Sequence, residues 1–419
     1  MLMSNLFVSF LMATVALQAL TLREAMEQAE KLNPAVQLAN LRVLEAEAAT
    51  RNVRSGYQPQ VSLGVNGTYQ TINLQNIGLI IPGLGSRVGP FRTFDARPVL
   101  TQNVIDLSLL SRIRAAKGTE AALRYDVQTA KEATLLAVLQ LYLQIQQADS
   151  RIAAAEARRV TAEAVLEQAR QFEQAGTASK LDVARAAQQF HSEQAVLALA
   201  RGEREALATL LLRTIGMPQQ EVALEAPALE LRAVAPAAAD RPEVRALQAR
   251  LDAAEQDRRR AERERLPRLA FLGNYGLAGT GPDRSLSTYA VGATLAIPLW
   301  TGGRIASEIQ AAKARIEQTK TQRRDLDLQI AQEMKQAEIE ANAALLSLRA
   351  AQDAVAAAKQ SLELARLRFS SGIATNLDTI TAQGTLAQTE DTEIRTRYEF
   401  HLARARWARA FGNVYAFFD

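Results

Sequence analysis

The sequence predicts a mainly α-helical chain with four long β-strands that read as membrane β-structure, the whole built as an internal tandem duplication. Three observations carry this. Residues 105–175 and 304–371 are proline-free and dense in Ala, Leu, Glu, Gln and Arg, the strong helix formers. About seventy residues of helix would reach ~105 Å, more than an ordinary globular domain has room for. The two rods end in closely similar turns, Gly176-Thr177-Ala178-Ser179-Lys180-Leu181-Asp182 and Gly372-Ile373-Ala374-Thr375-Asn376-Leu377-Asp378, offset by 196 positions (372 − 176). Ahead of each rod the hydrophobic period changes from that of a helix to that of a strand.

Taken in order, the first nineteen residues form a segment apart. Residues 6–17 are an apolar run suited to a signal-peptide core, followed by Gln18-Ala19 as a cleavage site, so 1–19 is expected to be a signal peptide. The first repeat spans 20–216. A helical segment from Leu20 meets Asn33-Pro34, a break because proline disfavours helix in the residue before it. A second helix runs from Ala35 to about Ser55. Val61, Leu63 and Val65 then alternate with Ser62, Gly64 and Asn66, which predicts a strand at about 59–71. Residues 72–90 read as an apolar, glycine-containing loop, and a weaker strand follows at about 92–104. The rod at 105–175 and a returning helix at 179–215 complete the half.

Residues 217–241 carry prolines at 218, 227 and 236 and read as an inter-repeat linker. The second repeat, 242–419, restarts the plan: Pro242 answers Pro34 and Pro267 answers Pro59, both at an offset of 208 (242 − 34; 267 − 59). Strands are expected at about 267–278 and 287–299, the long helix at 304–371 and the returning helix at 375–411, with a short C-terminal tail. In the fourth strand Tyr289, Val291, Ala293, Leu295 and Ile297 share one face.

Strands of about ten residues match the length needed to cross a membrane as tilted β-structure. Four strands cannot close, and an open edge in lipid leaves each unpaired backbone group at a cost of several kcal/mol. Other chains must close the sheet, as an eight-stranded dimer or a twelve-stranded trimer. No segment reads as a transmembrane helix; residues 135–143, with Gln140 among them, are too short and read as a packing zone within the rod.

Composition narrows the function. Among 419 residues there is no Cys, which excludes disulfides, thiolate metal sites and a lipidated N-terminal cysteine. The net charge of +4 points to no nucleic-acid partner. With two histidines and no Gly-rich phosphate loop, HExxH or GxSxG pattern, neither enzyme chemistry nor a cofactor is expected.

The opening Leu20-Thr21-Leu22-Arg23-Glu24-Ala25, the Asn33-Pro34 pair, the helix-to-strand prolines Pro59 and Pro267 and the two Gly-x-x-[Ser/Thr]-x-Leu-Asp turns together resemble the TolC-like outer-membrane efflux proteins. The resemblance spans nearly the whole mature chain. It implies a homotrimer in which long helical hairpins form a periplasmic α-barrel and four strands per protomer contribute to a twelve-stranded β-barrel in outer-membrane lipid. It further implies a passive exit duct for efflux or secretion, docked to a periplasmic adaptor protein and an inner-membrane pump. The rival is a soluble periplasmic coiled-coil structural or adaptor protein.

Two readings stand for the tip residues. Physically, Ser179 with Asp182 and Thr375 with Asp378 form capping boxes at helix starts, where the helix dipole also favours a carboxylate. Through the resemblance, Asp182 and Asp378 become a periplasmic-tip constriction. Threefold symmetry would make Asp378 a ring of three carboxylates, of the kind that selects cations. The family's second acid one turn later is replaced here by Thr381. Gly176, Thr177, Ala178, Ser179, Leu181, Gly372, Ile373, Ala374, Thr375 and Leu377 read as helix-end turns, and the resemblance makes them adaptor contacts. Arg258, Arg259, Arg260, Arg263 and Arg265 precede the third strand as a solvated face within reach of anionic headgroups. Tyr69, Phe94 and Tyr289 are candidates for an aromatic girdle.

Overall fold

The computed structural model describes residues 20–78, 82, 86–176, 179–219, 241–371, 373 and 376–417. The expected signal peptide and residues 220–240 of the expected linker lie outside them. The elements are α1 (Leu22–Leu32), α2 (Pro34–Ser55), β1 (Gln60–Asn73), β2 (Arg87–Ile105), α3 (Leu107–Gln174), α4 (Lys180–Ile215), α5 (Pro242–Arg263), β3 (Arg268–Gly279), β4 (Ser285–Ala296), α6 (Arg304–Ser370) and α7 (Asn376–Ala410). The two rods are single helices of 68 and 67 residues. The chain separates into two compact units, one holding residues 1–39, 127–242 and 327–419, the other residues 40–126 and 243–326.

The described elements of the first unit are helices. Thr21 starts α1 through a reciprocal capping box with Glu24. Asn33 ends α1 and starts α2: its side-chain oxygen accepts from the amides of Ala35 and Val36, while its side-chain NH2 donates to the Thr214 carbonyl at 2.6 Å. Pro34 then occupies the first helical position, where its missing N–H costs nothing. The core gathers Leu22, Met26, Leu135, Val138, Leu139, Tyr142, Ile145, Leu211, Ile215, Val414 and Phe417, all nearly fully buried. Each side chain of this size contributes roughly 1.5–3 kcal/mol on burial. The run at 135–143 is therefore core, and the hydroxyl of its fully buried Tyr142 is satisfied, because it donates to the Leu20 carbonyl at 3.0 Å. Both returning helices are followed by a glycine with positive φ, Gly216 at 93° and Gly412 at 90°, again 196 positions apart (412 − 216).

The second unit holds the antiparallel sheet β1-β2-β3-β4 with parts of the helices that flank it. Gly118, the lone glycine in the α3 rod, lets that helix approach α5: a Cβ there would lie 2.9 Å from the Cβ of Ala253. Two strand limits differ from the sequence expectation. Residues 72–90 are not simply a loop: β1 continues to Asn73 and β2 starts at Arg87, with Ile72 opposite Val88 and Asn73 opposite Arg87. The Gly89-Pro90 pair that signals a loop sits instead at a register shift between Gln70 and Ile72, where an unpaired residue is tolerated. At the other limit, β4 ends at Ala296, opposite Arg268, rather than at Leu299. Pro267 and Pro298 bracket that last pair, and neither can donate to the ladder.

Candidate functional site

The sheet separates its chemistry by face. Directly opposed residues of an antiparallel pair project to the same side, so the register assigns every position. Val61 opposes Leu100, Leu63 opposes Pro98, Val65 opposes Ala96 and Gly67 opposes Phe94. Tyr275 opposes Tyr289, Gly273 opposes Val291 and Leu269 opposes Leu295. This face is largely apolar, with Arg92 opposite Tyr69 as a charged exception, yet open: Leu63 is 71 % exposed, Tyr289 76 % and Val291 67 %. The other face carries Ser62, Asn66, Thr68 and Gln70 of β1, Thr93, Asp95, Arg97 and Thr101 of β2, Asn274 of β3 and Thr288 and Thr294 of β4. Here Arg97 forks onto both carboxylate oxygens of Asp95 and donates to the side-chain oxygen of Asn274 at 3.3 Å. One side of a thin sheet suits hydrocarbon and the other suits water.

Tyr69, Phe94 and Tyr289 all lie on the apolar face but not in one row. Phe94 opposes Gly67, one row of that face from Tyr69, whereas Tyr289 opposes Tyr275, a ring the sequence reading did not single out. Pro59 and Pro267 immediately precede β1 and β3. Beside Pro59, the Tyr57 hydroxyl donates to the Asp106 carbonyl and ties the start of β1 to the end of β2.

In the first unit, α3 gives way to Gly176 in the left-handed region, φ 73°, and Ser179 caps α4. The Ser179 oxygen accepts from the Asp182 amide at 3.3 Å, and Asp182 accepts from the Ser179 amide at 3.1 Å and from its hydroxyl at 2.6 Å. The hydroxyl first, and the amide after it, hold the Asp182 carboxyl below the usual carboxylate range. Asp182 is thus an ionised helix cap at an exposed turn. Leu181 is 57 % exposed and Ile373 72 %. Leu377 and Asp378 lie in the first turn of α7, with Asp378 exposed. Thr177, Ala178, Gly372, Ala374 and Thr375 fall outside the described residues, and with Thr375 goes the second capping box.

Sequence reasoning missed the ion pairs that join the helices behind the turns. Arg158 of α3 reaches Glu193 of α4 and Asp391 of α7, each at 3.2 Å, with its own side chain only 15 % exposed. Arg201–Glu156 and Arg204–Asp149 also tie α3 to α4. Arg158 and Asp391 are separated by 233 residues, so no local spacing could have paired them. Among the described residues no cluster of His, Asp or Glu is suited to a metal ion, and no helix is long and apolar enough to cross a membrane.

Residues 25–216 and 234–413 match the family model described as outer membrane efflux protein. The chain belongs to that family. The two matched segments correspond to the two repeats, and they displace the soluble coiled-coil reading. The chain is 26 % identical over 332 residues to the alkaline protease secretion protein AprF of Pseudomonas aeruginosa, covering 74 % of this chain and 67 % of that protein. It is 22 % identical to the outer membrane protein TolC of Escherichia coli K12, covering 95 % of this chain and 83 % of TolC. Its fold matches the CmeC outer membrane channel of Campylobacter jejuni with a TM-score of 0.82 at 18 % identity, over 93 % of this chain and 85 % of CmeC. Efflux-family chains are outer-membrane channel proteins, and the two-faced sheet is the part of this one that lipid would surround.

Proposed function

We propose that three copies of this efflux-family chain close a twelve-stranded barrel and act as a passive exit duct. A periplasmic adaptor protein and an inner-membrane pump would deliver substrates to it. The supporting observation is the split sheet with two open edges. Among the described residues β1 and β4 each have a partner on one side only, and in hydrocarbon every unpaired backbone group costs several kcal/mol. A dimer would close eight strands, but side chains fill an eight-stranded interior, whereas twelve strands leave a wider bore. Exposed apolar positions on the helices fit the same reading. Leu38, Leu41 and Leu44 of α2 and Leu328, Ile339 and Leu346 of α6 are all more than half exposed in the single chain. Such stripes are suited to neighbouring subunits.

The turn at Gly176 to Asp182 and its counterpart near Asp378 form the end that meets the adaptor in this reading, with Leu181 and Ile373 as apolar contacts. The secretion role named for AprF makes polypeptide export one substrate class to test beside small toxic compounds.

Extraction and electrophysiology test the proposal. The protein should leave the membrane only with detergent, migrate as a complex of three chains, and give discrete conductance steps in planar bilayers. A monomer released by osmotic shock that forms no pore would refute it. The tip carboxylates are tested separately. Asp378→Asn should reduce cation selectivity and raise conductance if Asp378 rings the constriction. Asp182→Asn should leave both unchanged, losing only part of a cap worth about 0.5–2 kcal/mol.

A further inference from the structure

The arginines before the third strand read from the sequence as a solvated face within reach of anionic headgroups. In the sheet-bearing unit, a cavity of about 580 Å³ opens where α3 and α6 begin, α5 ends and β3 starts. Its wall includes Arg112, Arg260, Arg268 and Arg304, with Asp106 and Glu264. We infer that this cavity binds the phosphate, sulfate or similar oxyanion group of a water-borne solute.

The arginines outnumber the carboxylates in the cavity wall. Glu264 is shared: Arg260 and Arg304 both donate to it, Arg304 at 2.8 Å, and Arg268 stands 4.0 Å away. Glu308 takes the same two, Arg260 at 3.4 Å and Arg304 closer still. Asp106 is already committed: one of its oxygens accepts from the Ser108 hydroxyl at 2.6 Å and the Leu109 amide at 2.9 Å, capping α3. Arg112 has no described carboxylate within ion-pair distance. Four guanidiniums thus share the wall with two carboxylates, Asp106 and Glu264, while Glu308 and Asp257, the latter 3.9 Å from Arg260, pair with them from outside the lining, and the N-terminal ends of α3 and α6 add partial positive charge. Guanidinium forks match the paired oxygens of an oxyanion, and an incoming one could draw Arg260 and Arg304 from their shared acids.

The register decides between water and lipid as the source. Arg268 opposes Ala296 and belongs to the same face as Asn274, the polar side of the sheet. Most exposed apolar side chains of the sheet, Leu63, Tyr289 and Val291 among them, are on the reverse, while Leu272 and Leu286 share the side of Arg268. A solute in the aqueous bore therefore reaches the cavity and a bilayer headgroup does not. That the solute is exported cargo rests on the exit-duct reading; the binding itself does not.

Tripolyphosphate is a suitable probe. Titrated calorimetrically into the full-length protein in neutral detergent at low salt, it should bind saturably at one site per chain. Arg112→Gln with Arg268→Gln should weaken binding at least tenfold, and Arg268→Lys should recover part of the loss. Because Arg112 is exposed and has no described acidic partner, Arg112→Gln alone should fold normally and still weaken binding severalfold. Absence of saturable binding, or equal binding by wild type and both Gln variants, overturns the inference. Competitive displacement of the probe by phosphatidylglycerol in mixed micelles also overturns it, by making the site one for lipid. The two readings fail separately: a protein that binds the probe without forming pores refutes the duct, and one that conducts without binding refutes the site.

Discussion

Val291→Arg should abolish outer-membrane assembly, while Thr288→Arg, three residues away, should be tolerated. Val291 lies near the middle of β4 on the apolar face, opposite Gly273, and is 67 % exposed. A lipid-facing Arg or Lys at the midplane of a β-barrel costs about 2–4 kcal/mol. Three symmetry-related copies would bring the cost to roughly 6–12 kcal/mol if widely separated sites add, comparable with the whole stability of a domain. Thr288 opposes Gly276 on the polar face, where an added guanidinium stays in water. The check is outer-membrane fractionation with gel migration of unheated samples: trimer for wild type and Thr288→Arg, none for Val291→Arg. Equal insertion of both variants would mean that the faces have been assigned the wrong way or that the sheet never enters lipid.

Gly216→Ala should be far more damaging than Gly176→Ala, although both glycines have positive φ. An L-residue in the left-handed region costs about 1–2 kcal/mol at either place. At Gly176 nothing lies within 4 Å of the added Cβ, so that is the whole effect. At Gly216 the Cβ would overlap the Leu32 carbonyl oxygen and stand 2.8 Å from its carbon, both backbone atoms. Leu32 and Asn33 cannot move freely, because Asn33 holds the Thr214 carbonyl and the start of α2. Overpacking of this kind adds about 1–3 kcal/mol, beside a core that includes Ile215. Thermal unfolding of the purified variants should show a marked fall in midpoint for Gly216→Ala and a small one for Gly176→Ala. Equal midpoints would show that the contact at Leu32 relaxes at no cost.

Much of this was legible because the signals are local or periodic. The rods announce themselves by composition over nearly seventy residues, and Val61, Leu63 and Val65 reveal a two-faced strand by alternation alone. Loop chemistry misled at Gly89-Pro90, because a register shift absorbs a pair that elsewhere would end a strand. The Ser179–Asp182 box was readable from its spacing of three residues. Arg158 with Asp391, and Arg112 with Arg260, Arg268 and Arg304, were not. Each brings together residues from helices and strands far apart in the chain, and no spacing rule reaches that distance.

The amino-acid order alone determined the repeated plan, the long helices and which side of the first and fourth strands is apolar, since all three follow from backbone preference and side-chain alternation over a few neighbouring residues. Tertiary structure alone decided the strand order and register, the clasp between Gly216 and Leu32, and the gathering of arginines at one cavity. Those depend on which distant segments come within a few ångströms of one another, and that is settled only when the whole chain minimises exposed apolar surface and unpaired polar groups together.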